Sequence, residues 1–381
     1  MDSKKYNNIK LFLSIFESIT GFVLLFLFVL LGISTSLENY LSKIFSSSYI
    51  QFIFYVLCVG FAGGIIFFPV SYYSDFYLEH KYNLSNQTFW EWIWEDVKGL
   101  IVSLIIGIPV LLIFFYLLNV FGNLWWLLFA IILFFLSVVL AQIVPILILP
   151  LFYKISPLQN EELKNRIQKL AQGAGIKVEN VYKFNMSKNT KKANAAFTGL
   201  GKSKRILLGD TLLDNYSFDE IETVIAHELG HYKRKHIVKN IFIGTVSSFL
   251  TLFIIAWLYK VSISWFGFKS VIQIAALPLL GLWGMLVGLV LTPITNIISR
   301  KFEYQADEYA IISTGKKEAF ISTLEKLTEQ NLGDKEPNPF VEWFFYSHPS
   351  IKNRIAAIKK VEVPKEEIKD SLKDKLGYEG K

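Results

Sequence analysis

Six long apolar segments constrain the fold of this chain more than any other feature of its sequence. Each is long enough, at about 1.5 Å of rise per residue, to cross about 30 Å of hydrocarbon as a helix. A water-soluble domain rarely contains such segments, so the sequence excludes an ordinary soluble enzyme. It predicts a mainly α-helical, polytopic protein embedded in a lipid bilayer. The predicted spans are residues 11–33, 50–72, 100–120, 124–151, 237–259 and 272–298.

The first apolar segment also has an alternative reading as a cleaved signal peptide, because Lys4, Lys5 and Lys10 precede it. A signal peptide normally has an apolar core of about 7–15 residues followed by a small-residue cleavage site. This segment is longer, and no A-x-A pattern follows it. We therefore predict that it is retained as the first membrane span.

Composition supports the same protein class and excludes others. Hydrophobic residues make up 52% of the chain and charged residues 19%, against about 25% charged residues in an average soluble domain. An aromatic content of 16% argues against a disordered chain. The net charge of +7 is what basic cytoplasmic loops would give, so we predict no nucleic-acid partner. The single cysteine, Cys58, cannot form an intrachain disulfide.

The distribution of Lys and Arg predicts the orientation of the chain. With six spans and a cytoplasmic start, both long polar segments face the cytoplasm, and they contain most of the basic residues, as the positive-inside rule requires. The loop at residues 74–99 is acidic, but Asp and Glu contribute little to this rule. The predicted units are a four-span membrane region (1–153), a cytoplasmic catalytic segment (154–236), two further spans (237–298) and a C-terminal cytoplasmic helical segment (299–381).

The catalytic segment alternates helix and strand signals. Leu163, Ile167 and Leu170 have the spacing of one amphipathic helix. Ser217-x-x-Glu220 before an apolar run is a capping box, so a further helix is predicted to begin there. A small β-sheet is expected between these helices. Its predicted strands are residues 181–184, 195–198 and 205–208, with turns at 186–192 and 199–204.

Prolines and periodicity complete the helical assignment. Pro145 and Pro150 predict a kink or break at the end of the fourth span, and Pro293 predicts one in the sixth. Residues 299–381 are predicted to be mostly helical, because their apolar residues keep helical spacing. The tail after residue 363 is charged and predicted to be loosely ordered.

The strongest chemical signal is the motif H-E-L-G-H at residues 227–231, on the helix that begins near Ser217. Residues four apart lie on one face of a helix, so His227 and His231 can share one Zn²⁺ ion. Glu228 follows the first ligand and can act as general base on the attacking water. The alternative is a helix with two solvated histidines. The apolar flank before the motif and the membrane span after it argue against that alternative.

A catalytic zinc ion needs a third protein ligand, which leaves a fourth position open. His236 is close in sequence, but on a continuous helix it lies about 140° from His231, and no glycine breaks the helix between them. We therefore predict that His236 is not a ligand. Glu303 and Asp307 are better candidates, because one can bind the metal while the other accepts a hydrogen bond from a ligand imidazole. The alternative for this pair is a solvated acidic face.

Several separate motifs in a fixed order give the chain a resemblance to a known family. It resembles the integral-membrane zinc metalloproteases typified by the type I CaaX prenyl endopeptidase, over residues 61–358. The motifs that carry the resemblance are the loop at residues 79–88, Pro150-Leu151-Phe152, Asn194-Ala195, Asp210-Thr211-Leu212-Leu213, the H-E-L-G-H motif, residues 299–307, and Ser347-His348-Pro349 with Arg354.

The resemblance implies a role for each residue of the metal site. His227, His231 and Glu303 would hold one zinc ion. Glu228 would be the catalytic base, and Asp307 would orient a ligand histidine. The implied fold of the cytoplasmic catalytic region is zincin-like, of the gluzincin kind, and the membrane spans would enclose a water-filled chamber.

The resemblance also implies how a substrate is held. His348 and Arg354 would lie at the catalytic centre, stabilising the oxyanion and positioning the substrate backbone. Asn194 and Ala195 would belong to an edge strand that pairs with the substrate. Two features depart from the family pattern: Ala196 stands where an aromatic residue is common, and six spans are predicted where eukaryotic members have seven.

The activity that the resemblance implies is removal of the last three residues from isoprenylated C-terminal peptides. In a bacterium, the same chemistry would serve quality control of membrane proteins instead. A transporter with a structural zinc site is a further alternative, but it would not need Glu228 beside the ligands. The expected partners are peptide or protein substrates, prenylated or not. The expected location is the bacterial inner membrane or the endoplasmic reticulum, with the active site facing the cytoplasm.

Overall fold

A computed structural model describes residues 2–176, 181–198 and 205–362 of the chain. Helices dominate the described residues, and one four-stranded sheet accompanies them. The predicted mainly α-helical class with a small β-sheet is therefore confirmed. The turn predicted at residues 199–204 and the tail predicted after residue 363 lie outside the described residues.

The helices follow the predicted spans and polar segments, with one addition in the membrane region. In the first part of the chain they are α1 (Asp2–Leu30), α2 (Ile33–Ile44), α3 (Ser48–Ser71), α4 (Leu78–Lys81), α5 (Phe89–Phe121), α6 (Trp125–Ile143) and α7 (Leu149–Phe152). The later helices are α8 (Glu161–Gly173), α9 (Asp210–Asn215), α10 (Phe218–Lys233), α11 (His236–Ser262), α12 (Pro278–Thr314), α13 (Lys317–Gln330), α14 (Pro339–Phe345) and α15 (Ile351–Lys360). The addition is α2, whose 12 residues are too few to cross a bilayer.

Five helical runs in the described chain are long and apolar enough to cross a membrane, against six predicted spans. The difference lies in the run Phe89–Phe152, whose 64 residues contain both the third and the fourth predicted span. The run bends at Gly122, which has φ of +51°. Phe114 of α5 then packs edge-on against Trp125 of α6, with ring centroids 5.3 Å apart. The two predicted spans are therefore the separate helices α5 and α6 within one run.

The two predicted proline sites behave differently. A π-helical turn at Val144–Ile148 contains Pro145, so the fourth span is deformed at its end as expected. At Pro293 no break occurs, because α12 continues through this residue. Prolines are tolerated in membrane helices when neighbouring groups satisfy the freed backbone. As a result, the sixth span and the acidic residues beyond it belong to one helix.

The catalytic segment contains a sheet with the strand order β1-β2-β4-β3. The strands are β1 (Ile155–Pro157), β2 (Val181–Phe184), β3 (Ala195–Thr198) and β4 (Arg205–Gly209). The three predicted strands are confirmed, whereas β1, three residues ending in proline, was too short to predict. β2 and β4 are parallel, and the two outer pairs are antiparallel. Among the described strands β3 pairs only with β4, so it is an edge strand.

The loop between α3 and α5 packs against the catalytic segment. Asn86 N donates a hydrogen bond to Asn189 O at 3.1 Å, and Lys191 N donates to Leu84 O at 2.9 Å. These contacts place the loop on the same side of the membrane helices as the catalytic segment. The predicted six-span topology requires the same arrangement.

The buried carboxylate of Glu220 ties the start of α10 to α13. It completes the predicted capping box by accepting a hydrogen bond from Ser217 N at 2.9 Å, and it also accepts from Ser322 Oγ and Lys326 Nζ, each at 2.9 Å. Burial alone would raise its pKa, but these hydrogen bonds outweigh burial and lower the pKa below its ordinary value. The folded protein therefore favours the charged carboxylate.

We expect Glu220→Gln to lower the free energy of unfolding by about 1–2 kcal/mol at neutral pH, because hydrogen bonds to a charged group are lost. Since the folded pKa is depressed, this stabilisation is present above the unfolded pKa of about 4.3 and disappears as pH falls through the folded value. Thermal unfolding of the purified protein in detergent, at neutral and at acid pH, measures the difference. Glu325→Gln changes an exposed glutamate on α13 and is the control. Equal effects of the two variants at neutral pH would contradict the prediction.

Candidate metal centre

The crossing of α10 and α12 assembles the site. Gly230 of α10 lies so close to α12 that a Cβ on it would stand 3.0 Å from the Cα of Ala306 and 3.1 Å from the Ala306 carbonyl oxygen. Only glycine permits this approach without displacing the backbone of the neighbouring helix. The crossing brings the histidine-bearing face of α10 against the acidic face of α12.

Three predicted metal ligands converge at this crossing. His227 and His231 extend from α10, and Glu303 extends from α12. The Nε2 atoms of the two histidines are 3.2 Å apart, and each lies 3.4 Å from one oxygen of the Glu303 carboxylate. His227 and Glu303 are buried, while His231 is partly exposed. The structure thus brings together residues from before the fifth span and after the sixth.

The arrangement fits a metal ion. Ligand atoms about 2.0–2.1 Å from a tetrahedral ion are about 3.3 Å from one another, and the distances between these three groups are 3.2 and 3.4 Å. Glu303 Oε2 is buried, yet it accepts no hydrogen bond from any residue that the structure describes. A buried carboxylate oxygen without a donor is costly, and a bound cation would remove that cost.

Asp307 holds the outer nitrogen of His227. The Nδ1 atom of His227 donates to Asp307 Oδ1 at 2.8 Å. Arg354 clamps the same carboxylate through Nε and Nη2, at 2.9 and 2.5 Å. Burial by itself would lower the pKa of His227, but the Asp307 and Glu303 carboxylates raise this pKa to about 9. The surroundings of His227 therefore favour a cation at this position, either a proton or a metal ion.

His236 supports His231 in a way that the sequence did not reveal. The predicted continuous helix is wrong, because α10 ends at Lys233, Lys235 adopts a φ of +56°, and α11 begins at His236. His236 Nε2 donates to Gln305 Oε1 at 2.8 Å, and its Nδ1 lies 3.1 Å from His231 Nδ1. With its proton on Nε2, a neutral His236 accepts a hydrogen bond at Nδ1 from the Nδ1–H of His231. The Nε2 lone pair of His231 then remains available to a metal.

A cavity of about 370 Å³ opens beside the predicted metal ligands, and most of the remaining predicted residues line it. Glu228 lines it and is half-buried. Asn194 and Ala195 line it next to the edge strand, and so do His348 and Arg354. The predicted base and the predicted substrate-binding residues therefore face one space.

His348 and Arg354 occupy different positions in that space. His348 Nε2 lies 3.5 Å from Glu303 Oε1, and its side chain is 65% exposed. Two nitrogens of Arg354 are bound to Asp307, and its Nη1 lies 4.0 Å from Glu303 Oε2. His348 is therefore free to reach a substrate, whereas Arg354 chiefly holds Asp307 in place.

Two family models match this chain. Residues 157–362, more than half of the chain, match the family model described as "Peptidase family M48". The chain belongs to peptidase family M48. Residues 1–154 match a second family model, "CAAX prenyl protease N-terminal, five membrane helices". The described residues of this region form five helices of 12 residues or more, namely α1, α2, α3, α5 and α6.

Similar proteins come from bacteria and eukaryotes. An uncharacterized metalloprotease YhfN of Bacillus subtilis is 31% identical over 94% of this chain and 85% of its own length. CAAX prenyl protease 1 of Saccharomyces cerevisiae is 33% identical over 76% of this chain and 68% of its own length. The crystal structure of S. mikatae Ste24p matches with a TM-score of 0.85 and 29% identity, covering 94% of this chain and 88% of that chain.

These matches confirm the family resemblance and the class of protein predicted from the sequence. This chain is a membrane metalloendopeptidase of the CaaX prenyl protease type, with a polytopic helical fold. Its family implies a metal cofactor, and His227, His231 and Glu303 are the described cluster that could hold one. A transporter without enzymatic activity is excluded by the family.

We expect Gly230→Ala to weaken metal binding about 10–100-fold, because the added methyl group pushes α10 away from α12 and separates the histidines from Glu303. Metal content after dialysis against a competing chelator measures the effect. Gly244→Ala in α11 is the matched control, since a Cβ there meets nothing within 4 Å. Circular dichroism verifies that both variants are folded. Wild-type metal retention in a folded Gly230→Ala protein would show that the close crossing does not set the ligand geometry.

Proposed function

We propose that this chain removes the C-terminal tripeptide from isoprenylated peptides, with Glu228 as the catalytic base. The observation that carries the proposal is the position of Glu228, which lines one cavity together with the metal ligands His227 and Glu303. The similarity to CAAX prenyl protease 1 of S. cerevisiae supports the substrate class.

We propose zinc as the metal. Two imidazoles and one carboxylate form a donor set that is typical of catalytic zinc sites, with a fourth position left open. Hydrogen bonds from the outer ring nitrogens to Asp307 and His236 support this choice, because zinc-binding histidines are usually held in this way. When bound, zinc would supply Lewis-acid activation of water and of the scissile carbonyl.

In this proposal Glu228 carries the proton transfers. Its carboxylate takes a proton from the attacking water and returns it to the nitrogen of the leaving amine as the peptide bond breaks. A ring N–H of His348 donates a hydrogen bond to the oxyanion that develops on the scissile carbonyl. Arg354 and Asp307 hold the ring of His227 and act as positioning residues.

Asn194 and Ala195 are proposed to align the substrate. They lie at the start of the edge strand β3 and line the cavity beside Glu228. An extended peptide can add to such an edge as a further strand, so backbone hydrogen bonds would hold it irrespective of its side chains.

The positive-inside bias supports a cytoplasmic active site. From this bias we infer that the catalytic segment and the C-terminal helices lie on the cytoplasmic side. We infer the inner membrane as the location in a bacterium, or the endoplasmic reticulum in a eukaryote. In a bacterium, unprenylated membrane proteins would be the natural substrates of the same chemistry.

We expect Glu228→Gln to retain the metal and to lower kcat about 10²–10⁴-fold, because the amide can no longer accept the proton of the attacking water. Cleavage of a farnesylated peptide by the zinc-loaded protein, with and without a chelator, provides the measurement. Glu222→Gln on the same helix is the control, since Glu222 pairs with Lys316 outside the cavity. A zinc-loaded Glu228→Gln protein that cleaves at the wild-type rate would refute the assigned base.

The same assay tests the substrate class when the unmodified peptide is run in parallel. Preference for the farnesylated peptide supports CaaX processing. Equal cleavage of both would show that the prenyl group is not recognised, and it would favour the quality-control alternative.

A further inference from the structure

Among the residues that the structure describes, none pairs with the outer side of the β3 backbone at Ala195, so the strand presents a free edge to the cavity there. Gly209 N donates to Asn194 O at 3.0 Å, so the backbone groups of Asn194 face β4. Ala195 is paired with Leu208, the next position of the antiparallel ladder, where the strands exchange no hydrogen bonds. The N–H and C=O of Ala195 therefore point outward, and those of Ala193, two residues earlier, point the same way.

Asn331, directly after α13, occupies the edge at Ala193. Its Oδ1 accepts from Ala193 N at 2.9 Å, and its Nδ2 donates to Ala193 O at 3.2 Å. These are the two hydrogen bonds that a neighbouring strand would make. Asn331 also lines the cavity that contains Glu228. A substrate strand therefore cannot pair with Ala193 while Asn331 is in place.

The chain also satisfies the backbone before Ala193. Lys191 N donates to Leu84 O at 2.9 Å, and Gln330 Nε2 donates to Lys191 O at 2.7 Å. The loop before α5 and the end of α13 thus cover this part of the edge. Ala195 is the first position at which an added strand can form its backbone hydrogen bonds.

We propose that Asn331 limits how far a bound peptide extends beyond the cleaved bond, so that the site selects bonds close to a free C-terminus. This inference rests on the proposed peptidase function. Antiparallel pairing is commoner and slightly more stable than parallel pairing, so the peptide runs opposite to β3. Because Ala193 precedes β3, the end of the peptide that meets Asn331 is its C-terminal end. A long C-terminal extension collides with this side chain, whereas a long N-terminal extension leaves the cavity past Phe197.

Peptides that differ only in the number of residues after the cleaved bond test the proposal. Full-length, zinc-loaded protein receives a short peptide, with three residues after that bond, and a version with a long C-terminal extension. We expect kcat/KM of the wild type to be about tenfold or more higher for the short peptide than for the extended one. Asn331→Ala is expected to lower this preference about tenfold, because it exposes the backbone of Ala193. An extension on the N-terminal side is expected to leave kcat/KM nearly unchanged.

Gln330→Ala is the matched control, because it removes a hydrogen bond to the same segment without freeing Ala193. If Asn331 only stabilises the fold, Asn331→Ala lowers kcat/KM for both lengths in equal proportion and leaves the preference intact, which would overturn the proposal. Asn331→Ser serves as the second variant if the alanine protein does not fold.

Cleavage of the two peptides by the wild-type protein also tests the role of Asn331 separately from the peptidase function. Equal cleavage of both lengths, or a block by N-terminal rather than C-terminal extension, would overturn the role of Asn331 and leave the peptidase function intact. A zinc-loaded wild type that cleaves neither peptide would overturn the proposed function itself.

Discussion

The close crossing of α10 and α12 is the constraint on which the site depends. A glycine at position 230 allows the two backbones to approach until a methyl group would no longer fit against Ala306. The three ligand groups are then 3.2 to 3.4 Å apart, and a shift of about 1 Å would take one of them out of bonding range. Both helices are fixed elsewhere: α10 by its capping box and α12 by its membrane-embedded half. Rigid elements therefore set the geometry of the three proposed ligands.

One helix supplies both a proposed metal ligand and the residues that support the other two proposed ligands. Along α12, Glu303 reaches the centre directly, Gln305 acts through His236, and Asp307 holds His227. The helix therefore fixes the orientation of both imidazoles as well as contributing a carboxylate. Because α12 continues unbroken from the sixth span, the membrane region and the candidate metal site share one helix.

Local patterns were sufficient to predict much of this architecture. Apolar length predicted the spans, and the capping box at Ser217 fixed the start of α10. Spacing paired His227 with His231 and left Glu303 and Asp307 as alternatives for the third ligand, and the choice of Glu303 rested on the family resemblance. The helix break at Lys235 could not be predicted, since a lysine with positive φ leaves no compositional signal. Continuity through Pro293 depends on neighbouring groups rather than on the proline itself.

Long-range contacts could not be predicted from the sequence either. Asn331 meets Ala193 across 138 residues of chain, and Gln305 meets His236 across 69. Neither contact follows from periodicity or from a motif, because each depends on how helices are packed. The first contact occupies the backbone groups of Ala193, and the second orients His236 toward His231. The contact to which we assign selectivity is thus one that only the folded structure reveals.

X-ray absorption at the zinc edge, combined with metal quantification on the purified protein, shows whether His227, His231 and Glu303 bind a metal. We predict one zinc ion per chain, bound by two imidazole nitrogens and a carboxylate oxygen at about 2.0–2.2 Å. A chain that binds no zinc, or a spectrum that requires three imidazoles or a sulfur ligand, would contradict it.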